Sequence, residues 1–194
     1  MLKTVIFLVG CVIIFSCGEQ DNTVLKPKPE QEIKYFWGDL HNHNAVGYAR
    51  GSLERTYEIA RSHLDFFCFT PHTQWTDMPI MPQNAHLKWV EGFKVAKNKW
   101  EQNKQMASAY NEPGTFISFP GYEWHSSVTG DVCIIFPHDT AQLKFFNDIK
   151  NLQNYARESN AVLIPHHPAY KTNWRGQDWQ YLDTDVTPVV EIYS

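Results

Sequence analysis

Short apolar runs that end, one after another, in a metal-type ligand constrain this chain more than any other feature. Ile33 to Trp37 leads into Gly38-Asp39-Leu40-His41-Asn42-His43, and Asp65 to Thr70 leads into Pro71-His72. Thr115 to Phe119 leads into Pro120-Gly121-Tyr122-Glu123, Asp131 to Phe136 into Pro137-His138, and Ala161 to Pro165 into His166-His167. Each run has strand length, and unbroken apolarity such as that of Asp65 to Thr70 suits a strand buried on both faces. In an extended segment His41 and His43 point to the same side. Neutral imidazoles converging beside an acid are what a borderline divalent ion such as zinc, manganese or iron takes. Parallel strands separated by helices put all their C-terminal ends on one face, so ligands distant in sequence would meet there. For a single His-x-His the plain alternative is a polar strand end whose histidines hydrogen-bond to neighbours. Scattered histidines of that kind would not favour one end of every strand.

Between the runs the periodicity turns helical. Ser52 is a plausible N-cap for a helix to about His63, with Leu53, Tyr57 and Ala60 on one face. Thr73 to Gln83 is a Pro- and Met-containing surface loop, after which Asn84 caps one long helix to about Asn111, stopped by Pro113-Gly114. Its stripe of Trp89, Phe93, Ala96, Trp100, Ala107 and Tyr110 reads as core. Thr140 to about Ser159 reads as a further helix, with Leu143, Phe146, Ile149, Leu152 and Tyr155 at helical spacing. Pro188 to Tyr193 reads as a sixth strand.

With 43% hydrophobic and 14% aromatic residues, the 194-residue chain can bury a full core, and a net charge of −4 supplies no basic face for non-specific nucleic-acid binding. Residues 1–17 read as a signal peptide: Lys3 gives a positive start and Val5 to Phe15 is an apolar run too short to span a bilayer comfortably. Ile14-Phe15-Ser16-Cys17-Gly18 resembles a bacterial lipobox, with Phe15 bulkier than the pattern prefers. That resemblance implies lipidation of Cys17 and an exported cell-envelope lipoprotein, in the periplasm or at the outer membrane or cell surface. An uncleaved anchor or a plain signal peptide are the alternatives, and each also exports the body. Residues 18–32 read as a polar tether and 33–194 as the folded domain. Of four cysteines, only Cys68 and Cys133 fall inside that domain, each within an apolar run that suggests a buried small hydrophobe. A disulfide between them needs α-carbons within about 7 Å, and the architecture puts them on non-adjacent strands.

Taken together, Gly38-Asp39-Leu40-His41-Asn42-His43, Thr70-Pro71-His72, Pro120-Gly121-Tyr122-Glu123 and Pro165-His166-His167-Pro168 resemble successive motifs of the PHP superfamily, named for polymerase and histidinol phosphatase. The likeness runs from about Tyr35 to Ser194 and is nearest to an exported branch of unknown role. It implies an α/β fold, a distorted (β/α)7 TIM-like barrel of which this chain supplies about six strands. It also implies two or three divalent ions (zinc, manganese or iron) at the C-terminal face, and hydrolysis of phosphate esters. Residue by residue, His41 and His43 match the first-motif ligands, His72 the second and Glu123 the bridging carboxylate. His167 matches the His-Pro histidine, with His166 an adjacent candidate, and His138 stands where a ligand after the fourth strand is expected. Asp39 would orient an imidazole. The residues alone do not assign His125 or Glu191 to the ligand set. Two departures stand out. Pro71 replaces the acid of the usual Thr-Asp-His, removing an acceptor behind the histidine, and no late Asp-x-His pair follows the last strand. A (β/α) barrel typically needs roughly 250 residues, so the resemblance leads to an expectation of a truncated domain that folds poorly or exposes a strand edge.

These readings converge on a metal-dependent hydrolase, a phosphoesterase acting on a small-molecule phosphate ester. Two ions about 3.5–4 Å apart would share Glu123 and activate water, with His167 beside them, so no protein nucleophile is required. The chain has no GxSxG elbow, P-loop or dinucleotide fingerprint, and the adjacency of His125 and Ser126 is not triad geometry. The competing reading is an exported, metal-containing module that binds a carbohydrate or other ligand without turnover, on Trp37, Trp75, Trp124, Trp174 and Trp179.

Overall fold

Among the described residues, six strands and four α-helices follow one another along the chain. In chain order they are β1 (Gly38–Asp39), α1 (Leu53–Arg61), β2 (Phe66–Phe69), β3 (His72–Trp75), α2 (His86–Asn98), α3 (Trp100–Tyr110), β4 (Ile117–His125), β5 (Val132–Ile135), α4 (Ile149–Glu158) and β6 (Val162–Pro165). This computed structural model describes residues 33–193, so the signal segment, Cys17 and the 18–32 tether lie outside the described residues. Tyr35–Ser194 form one compact unit. The strands make a mixed, curled sheet in the order β1-β2-β4-β5-β6, a half-barrel with β3 against the far half of β4.

The long β4 organises this sheet. Its first half pairs in parallel with β2, from Phe66↔Ile117 to Phe69↔Pro120, and its second half pairs in parallel with β3, His72 lying opposite Glu123. The break between β2 and β3 falls at Pro71, which has no N–H to give a ladder. The Pro71 carbonyl still accepts from the Glu123 N–H at 2.9 Å, so the kink itself registers that carboxylate. On the other side β5 and β6 are antiparallel to their neighbours, with Glu123↔Cys133 and Cys133↔Ile164 as register pairs. The all-parallel arrangement expected from the sequence is therefore corrected. Between β4 and β5 there is only a turn, Ser126 to Gly130, and no crossover helix, so the chain must reverse.

Alternation along β4 sends Tyr122 and Trp124 outward into a core with Trp100, Ile134, Phe136, Leu152 and Leu163. A second outward core joins Phe67 and Phe69 to Tyr57 of α1 and Ala107 of α3. Each fully buried side chain of this size contributes about 1.5–3 kcal/mol. The inward face carries Cys68, Cys133, Ile135 and Ile164, and below them an apolar hollow of about 590 Å3 opens between Leu40, Phe66, Phe119 and Val162. Cys68 and Cys133 are both free thiols, on strands separated by β4.

Helix α1 matches its expectation closely: Ser52 Oγ accepts from the Arg55 N–H and Leu53, Tyr57 and Ala60 are buried. Other boundaries move. The long helix divides at Lys99 into α2 and α3, and Asn84 adopts a left-handed φ of 58° and caps neither. The helix expected from Thr140 begins only at Ile149, because the Asp148 side chain caps it. The preceding residues are held by Gln74, which donates to Lys144 O and accepts from the Phe146 N–H. Thr73 to Trp75, expected in a loop, form a strand with His72; the strand expected over Ile33 to Trp37 is confined to Gly38–Asp39; and Pro188 to Tyr193 forms none, lying beside β6 through the bond from Glu191 N–H to Pro165 O, 3.0 Å. Among the described residues no helix is long and apolar enough to cross a membrane.

Candidate metal centre

Register brings the polar side chains together. Glu123 and His125 are two apart on β4, so both face inward; Asp131, just before β5, is the next pairing position opposite His125; His166, just after β6, extends the inward row of Ile164. His72 joins from β3 as the direct neighbour of Glu123. His41 and His43 follow β1 in a loop pinned to the end of β2. There the Asn42 N–H donates to Thr70 Oγ1 at 3.0 Å and the Thr70 N–H returns to Asn42 O at 3.1 Å.

Glu123 lies at the centre, fully buried. Its Oε1 is 2.7 Å from His166 Nε2 and 3.4 Å from His125 Nδ1. Its Oε2 touches His72 Nδ1 and is 3.5 Å from His43 Nε2 and 3.8 Å from His41 Nε2. Two pairs of imidazole nitrogens approach each other directly, His41 Nε2 to His43 Nε2 at 3.0 Å and His72 Nδ1 to His125 Nε2 at 2.8 Å. Burial opposes charge on Glu123, but His125, His72 and His166 outweigh it and hold the carboxyl well below its usual range. Burial likewise opposes charge on His41, yet Cys133 and Glu123 push its pKa up to about 12; Glu123 and Cys133 push His166 up to about 10 against the same penalty. On His43 burial wins, with help from the neighbouring imidazoles, and its pKa falls to about 3.

This donor set could hold a metal ion. An uncompensated carboxylate in such a place costs several kcal/mol, and among the described residues no Lys or Arg lies within 4 Å of Glu123. Glu123 Oε2 and the Nδ1 atoms of His43, His125 and His167 are buried without a hydrogen-bond partner. Ligand atoms gather within 4.8 Å of one another in the sets His41-His43-Glu123, His72-Glu123-His125 and Glu123-Asp131-His166-His167. A further set, His41-Cys133-His166, lies beneath, so Cys133 adjoins the imidazoles in addition to packing among apolar side chains.

His41, His43, His72, Glu123 and His166 are thus brought together. His167 joins them on the Asp131 side: with φ at 59°, its Nε2 faces Asp131 Oδ2 at 3.7 Å and Arg175 at 3.2 Å. His138 is not at the site. It follows the C-terminal end of β5, and an antiparallel β5 sends that end away from the centre to an exposed loop. Asp39 orders backbone, not an imidazole: Oδ1 accepts from the His41 N–H at 3.0 Å and Oδ2 from Asn42 Nδ2 at 3.1 Å. The orienting contact on the imidazole comes from Glu191, whose Oε2 accepts from His41 Nδ1 at 2.7 Å. Sequence reasoning missed Asp131 and Arg175 altogether. The signal for Asp131 was an acid opening the run Asp131 to Phe136, which an antiparallel reading would have placed at the site. Trp89, read as core, instead lies against the centre, 4.9 Å from the His72 ring and 5.3 Å from His125. Of the five tryptophans of the binding-module reading, Trp124 is buried in the outward core, and Trp37, Trp174 and Trp179 are exposed.

Residues 67–158 match a family model described as a protein of unknown function, DUF3604, a stretch that includes His72, Glu123, His125 and Asp131. Comparison with curated proteins finds no match.

Proposed function

We propose that this protein is a metal-dependent hydrolase of the polymerase and histidinol phosphatase type, with a distorted (β/α) barrel as its full fold and phosphate esters as its substrates. The observation that carries the reading is Glu123, a buried carboxylate with both oxygens turned to imidazoles from the ends of β1, β3, β4 and β6 and, among the described residues, no Lys or Arg within 4 Å of it. The motif resemblance from Gly38 to Pro168 supports the reaction class.

His41, His43, His72, His125, His166 and Glu123 would hold the ions. Bound divalent ions would supply Lewis acidity, lowering the pKa of water toward neutrality and neutralising charge that builds on a phosphoryl group. The chain itself contributes pre-organisation, since strand register fixes four of these donors and the buried surroundings strengthen every charge interaction among them. Beside the imidazoles, the Tyr48 ring stacks on His72 at 4.7 Å and meets Trp89, an aromatic wall suited to the organic part of an ester. A serine nucleophile has no support. Ser126 Oγ donates to Asp77 and accepts from the Val128 and Thr129 N–H groups, which commits it to a turn.

The test combines elemental analysis with hydrolysis of generic phosphate mono- and diesters under manganese and under zinc. Glu123→Gln removes charge from the middle of the cluster and should lower kcat/KM by roughly 100-fold or more, a loss of several kcal/mol. His138→Ala, far from the site, should change neither metal content nor rate. Less than one ion per chain, or hydrolysis that survives loss of both His41 and His43, sinks the reading. Metal without phosphoesterase activity would redirect it to another metal-dependent hydrolysis or to a binding role.

A further inference from the structure

At the edge of the centre one corner already has a cation. Arg175 Nε donates to Asp131 Oδ2 at 2.5 Å and Nη2 donates to His167 Nε2 at 3.2 Å, on two residues of the set Glu123-Asp131-His166-His167 whose ligand atoms lie within 4.8 Å of one another. Accepting that bond requires a free lone pair on His167 Nε2, so the guanidinium uses the metal-binding form of the imidazole. We propose that Arg175 fills the cation position of the Asp131–His167 corner, so that this corner carries a fixed guanidinium and the centre takes its ions only around Glu123. The inference rests on the metal reading above.

The contrast between the two carboxylates supports it. Among the described residues Glu123 pairs with imidazoles and no Lys or Arg, whereas Asp131, equally buried, has a guanidinium at hydrogen-bond distance beside the His125 imidazole at 3.0 Å. Arg175 is also held in place as a mobile surface arginine is not. Its guanidinium lies 5.3 Å from the Trp75 ring and 5.0 Å from the Trp89 ring, within cation–π range of both. The backbone around it is fastened across the ends of β5 and β6. The Arg175 N–H donates to Ser127 O, and Gln177 Nε2 donates to Asp131 O at 2.6 Å and to His166 O at 2.7 Å. Gly176 allows the tight approach, because a Cβ there would lie 2.1 Å from Tyr170 O. Arginine suits the task, since its planar fork reaches a carboxylate oxygen and an imidazole nitrogen at once, which a lysine ammonium cannot do in the same geometry. Removing it would leave Asp131 with the His125 imidazole and the Ser126 N–H but without its fixed cation, and an ion is the replacement the corner can accept.

The experiment compares metal content at saturating manganese and at saturating zinc, by equilibrium dialysis and elemental analysis, in the wild-type chain, Arg175→Ala, His167→Ala and the double variant Arg175→Ala/Asp131→Asn. Arg175→Ala should gain about one ion per chain over the wild type, and Arg175→Ala combined with Asp131→Asn should lose that gain. His167→Ala in the wild-type background leaves the Arg175–Asp131 pair standing and should leave metal content unchanged, a result that does not depend on Arg175→Ala folding. Equal content in wild type and a folded Arg175→Ala, or a loss of one ion in His167→Ala, overturns the inference while the Glu123 centre stands. No metal in any of the four overturns the functional reading and this inference with it.

Discussion

A histidine becomes a dependable ligand only when something holds its ring, and here the holding groups are more informative than the ligands. His41 shows this best: its Nε2 faces the Glu123 cluster while its Nδ1 is fixed by Glu191 at 2.7 Å, so one carboxylate sets the orientation and the proton of the other nitrogen. Glu191→Gln keeps an acceptor but removes the charge, and it should weaken metal affinity by roughly 10- to 100-fold with little loss of folding. Titration of the metal-free chain with manganese or zinc, wild type against variant, checks this; unchanged affinity would show that Glu191 only packs near the ring. From sequence, Glu191 was an acid in an expected strand 150 residues from its partner. Residue type and spacing exposed His41, His43, His72 and Glu123, since each ends an apolar run. They could not expose Glu191 or Arg175, whose places depend on how the segments after β6 fold back over the sheet.

At the level of elements, the positions of β2, β4, β5 and β6 were legible, whereas the strands expected at Ile33 to Trp37 and Pro188 to Tyr193 are absent, β3 was expected as loop, and the direction of β5 was not legible. The run Asp131 to Phe136 is apolar in either direction, so composition cannot tell a parallel strand from an antiparallel one; the short Ser126–Gly130 turn decides it, and with it the exchange of His138 for Asp131 at the site. Pro71 was read as a lost acid, yet its structural consequence is the kink that divides β2 from β3 and lets both pair with β4. β4 in turn passes close under its neighbours at Gly121. A Cβ there would meet Cys68 Sγ at 2.5 Å and the Ile134 carbonyl at 2.7 Å, so the strand at this point has room only for glycine. Gly121→Ala should therefore destabilise the chain by about 1–3 kcal/mol or more, read as a lower denaturation midpoint. Trimming the sulfur in Gly121→Ala/Cys68→Ala should recover only part of that loss, because the carbonyl belongs to the paired backbone of β5. Full recovery would show that the thiol alone sets the limit.

For the whole molecule, the centre acts as a clasp: its donors come from the ends of β1, β3, β4 and β6, so occupying it ties together segments spread over most of the sheet. An ion that binds the folded chain alone adds about 2.7 kcal/mol at a hundred times its Kd, which for a domain of this size raises Tm by roughly 5–10 °C. The pH dependence follows from which imidazoles the metal-free fold keeps charged. His43 and His167 are pushed down to about 3 and about 4, by burial first, so below the ordinary value of 6.5 the unfolded chain binds protons that the folded chain refuses. Stability of the metal-free protein therefore falls as pH drops below about 6.5. His41 and His166, pushed up to about 12 and about 10, work in the opposite direction: their contribution is complete below 6.5 and is lost as pH rises through those two values. The metal-free chain should be most stable near pH 6.5, losing stability on the acid side through His43 and His167 and on the alkaline side, from 6.5 upward, through His41 and His166. The same two histidines carry protons at pH 8, where a free imidazole carries none, and both must lose them to become ligands. Metal binding at pH 8 should thus release about two protons, one from each, as His41 and His166 give up charge. Calorimetric titration in two buffers of different ionisation enthalpy measures that number directly. A binding enthalpy independent of buffer would mean that His41 and His166 are neutral before the ion arrives, and that Glu123 is compensated by some other group.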